Sequence, residues 1–396
     1  MNEFDTATGA EPVMDAETML TPIKQIGPTP RAQMVRKLVD IVVLPSGQVS
    51  ANERSLIADI LLQVLDKVEI ELRIEVAKRI ARVPESPPSL IRMLILDEPE
   101  VASELISKAE SVPEALLIEA AREGKTSHRV QIAKRIDLTT SVADAVLEQR
   151  EFEVCMQVLR RDDITLSPNA INVLVALSAT KDELQLPLLR RHELEPAHGF
   201  MMFWWVEKER RKRILTRFSL NRAVIQDALA DLYPKVFRGN GEPDPFVKEI
   251  LILAERRHRP RGANGEPVSM EVVLRTMAAA RKYPTQEIID AVGLIAGITR
   301  ELAARILRDT GGESFAVMCK SLGIPRDDFF EFVSVKRDGD ETPPELHEKH
   351  AEYLLEIFDT IARDYSRAVL RYWDWDGNPR IAFITRLLGL SDDDVE

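Results

Sequence analysis

A run of cations, Lys208, Arg210, Arg211, Lys212 and Arg213, follows Phe203, Trp204 and Trp205, with Arg217 one turn further on. Arginines beside aromatic rings are what single-stranded nucleic acid or a phosphorylated ligand would use, through stacking and charge neutralisation. The spacing works against a focused site. On a helix Lys208, Arg211 and Lys212 share one face and Arg210, Arg213 and Arg217 another, so the charge surrounds the helix. Glu207 and Glu209 stand four residues before Arg211 and Arg213, the arrangement of favourable helical ion pairs. The run therefore reads first as a solvated helix face with Trp204 or Trp205 in the core. An acidic protein partner comes second, and nucleic acid or nucleotide last.

Other reactive residue types do not assemble. His347-Glu-Lys-His350 places its histidines three apart, whereas a zinc-binding helix of this kind needs them four apart. His128, His192, His198 and His258 are scattered. Asp374-Trp-Asp376-Gly-Asn378 lacks the distal Glu of a calcium loop and reads as a turn. Gly311-Gly312 reads as a helix break, since no strand precedes it and no Lys follows for phosphate binding. Cys155 and Cys319 lie in apolar helical stretches, where buried free thiols are expected. The sequence thus leads us to expect no catalytic centre, no metal and no cofactor.

The elements that would carry these residues are helices. Of 396 residues 45% are hydrophobic, 30% charged and only 6% aromatic, a balance that favours helix over strand. The net charge of −12 is unevenly spread. Residues 338–396 carry −9 and residues 204–262 carry +6. An acidic chain repels nucleic acid and anionic membrane as a whole. No apolar run is long enough for a transmembrane helix and no signal peptide is visible, so a cytoplasmic protein is expected.

The chain then repeats itself. Ala77-Lys-Arg-Ile80, Ala133-Lys-Arg-Ile136, Val158-Leu-Arg-Arg161 and Leu188-Leu-Arg-Arg191 fall on one frame, with Ile80, Ala109, Ile136, Arg161 and Arg191 as anchors. Their spacings of 29, 27, 25 and 30 residues suit one helical hairpin per unit, the signature of an α-solenoid. Two short helices cannot bury their apolar face alone, and stacking makes the core continuous. This frame puts Arg79, Arg135, Arg160 and Arg190 at equivalent places. They would either form a ladder for an acidic partner or pair internally with acids such as Asp162, Asp163 or Glu193, and the internal pairing is favoured.

The expected organisation is a disordered tail over 1–28, a repeat array over 29–237 and further helical hairpins over 238–335. Residues 336–396 add a linker, one long amphipathic helix from Glu345 to Trp373 and an acidic tail. Asn-Gly turns bracket a helix near 245–257, with a second basic cluster at Arg256, Arg257, Arg259 and Arg261. Short helix Arg380–Leu388 follows the long one. The long helix carries an apolar stripe that includes Leu354, Ile357, Ile361, Tyr365 and Ala368. The stripe would pack on the preceding repeats as a cap or form a homodimer seam.

The runs Ile132-Ala-Lys-Arg-Ile-Asp-Leu138, Val158-Leu-Arg-Arg-Asp-Asp163 and Phe203-Trp-Trp-Val206, with Arg210-Arg-Lys-Arg-Ile-Leu215, carry a family resemblance. Over about residues 70–330 the chain resembles an uncharacterised alphaproteobacterial family with degenerate HEAT-like or leucine-rich-variant-like helical repeats. That resemblance implies a helical-repeat fold and a cytoplasmic bacterial setting, and it supplies no catalytic residues. The functional expectation is a non-enzymatic protein-interaction scaffold or regulator. The alternative is a HEAT-like nucleic-acid-binding or base-processing protein working through the basic 204–217 segment. Candidate partner-binding residues are Trp204, Trp205, Lys208, Arg210, Arg211, Arg213, Arg160 and Arg190.

Overall fold

A computed structural model of the chain describes residues 28–45, 47–84, 86–109, 112–219, 258–337 and 339–374. The tail over 1–27, the 237/238 division, the helix near 245–257 with Arg256 and Arg257, and everything after Asp374 lie outside the described residues. The described residues are all-α, with twenty α-helices and no strand among them. The chain divides into two compact units, Met1–Leu177 and Ser178–Glu396.

In the first unit, α1 (Pro28–Val42) and α2 (Ala51–Leu65) precede α3 (Ile70–Ile80), α4 (Pro88–Ile95) and α5 (Pro99–Lys108). Then come α6 (Glu114–Glu123), α7 (Thr126–Ala133), α8 (Thr140–Leu147), α9 (Phe152–Leu159) and α10 (Pro168–Ser178). Local chemistry marks the helix starts. Ser50 and Glu53 form a capping box on α2, the carboxylate accepting the Ser50 N–H at 2.9 Å, worth about 1 kcal/mol. Prolines open α4 and α5, where a missing N–H costs nothing.

Helices α3 to α9 run only 8 to 11 residues, too short to persist alone in water. Packing must hold them. From α1 to α9 the helices meet two places along: α1 meets α3, α3 meets α5, α5 meets α7 and α7 meets α9. Between them α2 meets α4, α4 meets α6 and α6 meets α8. Buried pairs recur at the inner turn of the odd helices: Val76 and Ala77, Leu105 and Ile106, Ile132 and Ala133, Val158 and Leu159. Each larger member contributes about 1.5–3 kcal/mol by its burial.

This buried frame corrects the sequence register. The equivalent positions are Ala77, Ile106, Ala133 and Leu159, so the 158 run lies one residue away from the frame expected against the 133 run. Ile136, an anchor of the expected frame, is 93% exposed. The equivalent of Arg135 is consequently Arg161, and Lys134 matches Arg160. The reason is physical. Both arginines reach back to the preceding hairpin and donate to the carbonyls at the end of its helix, which have no partner within that helix. Arg161 donates to Ala133 O at 3.1 Å and Arg135 O at 2.6 Å, and Arg135 donates to Ile106 O and, at 3.1 Å, to Ala109 O. Each also pairs with the acid two residues on, Asp137 at 2.8 Å and Asp163 at 2.7 Å. Further bonds join successive hairpins: Arg92 to Glu119, Arg122 to Glu148 and Arg129 to Glu151.

The second unit holds α11 (Gln185–Leu188), α12 (Pro196–Met202) and α13 (Lys208–Ser219). It continues with α14 (Met270–Lys282), α15 (Gln286–Ala296), α16 (Arg300–Arg308), α17 (Glu313–Leu322) and α18 (Arg326–Ser334). The arginine device recurs here. Arg191 pairs with Glu193, and Arg217 donates to Leu189 O and Arg191 O, each at 2.7 Å. Helix α17 is buried along almost its whole length, which makes it the core helix of the unit.

The single long helix expected over 345–373 is two helices, α19 (Pro344–Thr360) and α20 (Arg363–Trp373). Ile361 is extended, with φ −88° and ψ 138°. At this break Arg363 turns to donate to Ser321 O at 3.3 Å, at the end of α17. The apolar stripe survives the break because α19 and α20 both pack on α17. Leu354, Ile357, Ile361, Tyr365 and Ala368 are all buried by the chain itself. The stripe is therefore intrachain core, and these side chains are not exposed to form a homodimer seam.

Candidate functional site

The basic helix α13 is divided by its partners. Lys208, Arg211 and Lys212, expected on one face, all face other helices of the second unit. Arg211 Nη1 lies 2.8 Å from Asp309 Oδ1 and 3.2 Å from Glu313 Oε2. Lys208 Nζ lies 3.0 Å from His350 Nδ1 and 3.9 Å above the Tyr353 ring. Lys212 pairs with Glu356 at 2.6 Å. Helix α19, from the acidic C-terminal region, thus covers one face of the basic helix. On the other face Arg210 donates to Gln185 and Arg217 caps the preceding hairpin, while Arg213 is exposed.

The loop between α16 and α17 makes this docking possible. A Cβ on Gly311 would stand 2.2 Å from Glu313 Oε2 and 2.8 Å from Arg211 Nη1. Gly312 has φ +82° and opens α17, a conformation that costs a side-chain residue. Asp309 accepts from Ser314 Oγ at 2.7 Å and from the Gly311 N–H at 3.3 Å. Tyr353 Oη lies 3.2 Å from Glu313 Oε1 and 3.0 Å from Lys208 O.

Burial and charge split the titrating groups. Burial works to raise Asp309, yet hydrogen bonds from Arg211 and Ser314, with the Arg211 charge, hold it below the usual carboxylate range. Burial raises Glu313 despite the same arginine, and raises Tyr353. His350 is pushed down to about 4 by burial, then by the charges of Lys208, Arg281 and His347. Lys208 is a pure donor, so Nδ1 of His350 must accept, which fixes the neutral ring. Close by, Arg281 is only 4% exposed, and its Nε and Nη1 have no partner. Burial lowers it to about 10.

Trp204 lies among aromatic rings and beside a cleft. Phe203 meets it edge-on at 5.4 Å, Trp373 lies 4.8 Å away, and the Arg305 guanidinium sits 3.9 Å from its ring centre. The cleft measures about 650 Å³ and is lined by Trp204, Arg211, Gln286, Arg300, Glu301, Ala304, Arg305, Arg308 and Asp309. Trp205 is half-buried and donates to Ser178 Oγ at 3.1 Å. Arg160 and Arg190 are exposed, whereas their neighbours Arg161 and Arg191 are engaged.

The remaining sequence candidates have local roles. His128 accepts the Lys125 N–H and His198 the Glu195 N–H, each at 3.1 Å. His347 contacts Ser334 O at 3.1 Å and His258 contacts Ile295 O at 3.0 Å. Asp374 accepts the Thr299 N–H at 2.8 Å. Among the described residues no cluster of three His, Cys, Asp or Glu could hold a metal. Both cysteines are buried, and burial raises Cys155 to about 11 and holds Cys319 well above the ordinary thiol range. Sequence reading missed Asp309, Glu313, Tyr353, Arg305 and Arg308. Arg211 meets Asp309 98 residues away, and no local pattern in the sequence encodes that pairing.

Among the described residues no helix is long and apolar enough to cross a membrane. No curated protein and no solved structure matches the chain. A family described as an uncharacterised protein conserved in bacteria (DUF2336) matches residues 101–371. On that match over more than half its length, the chain belongs to this bacterial family.

Proposed function

We propose that the chain is a non-enzymatic protein-interaction scaffold or regulator built on a HEAT-like α-solenoid. The observation that carries this reading is the repeated packing of the first unit, with the helices from α1 to α9 packed two places along and an arginine tie between hairpins. Stacked hairpins of this kind give an extended surface with few constraints on its outer residues. Lys134 and Arg160 occupy equivalent outer positions on adjacent hairpins, one residue before the tied Arg135 and Arg161, and both are exposed. An acidic protein partner suits that pair, because guanidinium and ammonium groups at a fixed spacing select carboxylates. A cytoplasmic setting belongs to the same proposal.

Nucleic-acid binding through 204–217 gains no support. Arg211 and Lys212 pair with carboxylates and Lys208 lies against His350 and Tyr353, so one face of the basic helix is covered by the chain itself and does not offer the continuous cationic track that a nucleic-acid backbone requires. Affinity capture of the full-length protein from its native host, with and without nuclease, tests the reading. The scaffold reading expects a protein set that survives nuclease. Recovery of nucleic acid, or loss of every partner with nuclease, would overturn it.

A further inference from the structure

The cleft beside Trp204 carries charge that packing does not use. Its lining holds four arginines against two carboxylates. Two of the four are engaged, Arg211 with Asp309 and Glu313, and Arg300 with Asp290 at 3.0 Å and Gln286 at 2.7 Å. Arg305 and Arg308 differ. They stand three residues apart on the exposed face of α16, and among the described residues neither pairs with a carboxylate. Glu301 lies four residues before Arg305, a spacing that permits a helical pair, yet Arg305 lies against Trp204.

That stacking has a consequence for recognition. A guanidinium laid on an indole is held in place while its N–H edge stays free to donate. The indole is itself fixed, by Phe203 and Trp373. Arg305 is thus a preoriented fork, and Arg308 adds a second fork about one turn away. The cleft volume of about 650 Å³ falls within the range of small-ligand sites.

We propose that this cleft binds a phosphate monoester, its phosphate dianion held between Arg305 and Arg308. A planar carboxylate fills one fork and brings one charge. A tetrahedral monoester brings about two charges and three terminal oxygens, enough for both forks at once. Glu301, on the same rim, accepts a hydroxyl or ammonium group from the remainder of the ester and disfavours ligands with further negative charge. The proposal is independent of the scaffold reading.

Isothermal titration calorimetry of the full-length protein tests it, with glycerol phosphate, a short phosphoserine peptide, inorganic phosphate and glutamate as probes. At least one monoester should bind about tenfold or more tightly than glutamate, and weaken as pH falls below about 6, where the phosphate takes up a proton. Tighter binding of the peptide would identify a phosphorylated side chain as the source; tighter binding of glycerol phosphate would identify a small metabolite. Arg305→Ala and Arg308→Ala should each weaken binding about tenfold with unchanged melting, and Arg308→Lys should fall between. Arg275→Ala, on the exposed face of α14, should leave it unchanged. No monoester binding at millimolar concentration, equal binding of glutamate, or indifference to both alanine variants would each overturn the proposal.

Discussion

Arg161 reaches back 26 residues to donate to the carbonyl of Arg135 at 2.6 Å, and Arg135 makes the equivalent bond to the hairpin before it. Position by position, the second unit repeats the bond with Arg217 and Arg191. The side chain that ends one hairpin therefore satisfies the helix end of its predecessor. The tie turns Arg135 and Arg161 inwards and leaves Lys134 and Arg160 exposed, the arrangement on which the proposed function rests.

Replacing the inward arginines should be costly. Arg135→Ala removes bonds to two carbonyls and to Asp137, and a loss of about 2–3 kcal/mol is expected. Arg160→Ala should stay within about 0.5 kcal/mol, as surface substitutions do. Urea unfolding of both variants decides the register, and equal losses would contradict it.

Gly312→Ala should destabilise the second unit. The residue sits at φ +82°, and a Cβ there would stand 2.9 Å from Leu354 Cδ1. A loss of about 1–3 kcal/mol follows from backbone strain and crowding together. Thermal unfolding gives the number, and an unchanged melting temperature would show that the turn relaxes freely.

The all-α class and most helix positions were legible, because burial at helical spacing writes itself into the residue order. Register was harder. Lys134-Arg135 and Arg160-Arg161 look alike in sequence, and only the carbonyls they reach separate inner from outer. The break at Ile361 was hidden for a related reason, since the stripe from Leu354 to Ala368 stays apolar across it. The ties of Arg211 to Asp309 and of Lys208 to His350 depend on contacts across 98 and 142 residues. No local spacing encodes those.

His350 should make stability depend on pH. Its folded value of about 4 lies below the ordinary 6.5, so the unfolded chain binds the proton first. The contribution is complete above pH 6.5 and is lost as pH falls towards 4. Glu313, raised by burial, works in the opposite sense: its contribution is present at low pH and lost as pH rises through its raised value. His350→Gln removes only the first effect. The variant should lose less stability than the parent between pH 6.5 and 4, and parallel pH profiles would contradict the assignment.

Arg281→Met offers a test of a buried cation. Its Nε and Nη1 are buried without partners, and an uncompensated buried charge is costly. Methionine of similar length should raise stability by about 1 kcal/mol or more. A clear fall in melting temperature would contradict the view that this guanidinium opposes folding.

The central claim, that the repeat surface docks a protein partner through its outward cations, is tested most directly by charge reversal. Lys134→Glu combined with Arg160→Glu would be compared with the parent protein by quantitative capture from the native host, with nuclease present throughout. Melting temperatures of the two proteins would be measured alongside. The account expects an acidic subset of captured proteins to be depleted about tenfold or more at unchanged melting temperature. Capture identical to the parent's would contradict it.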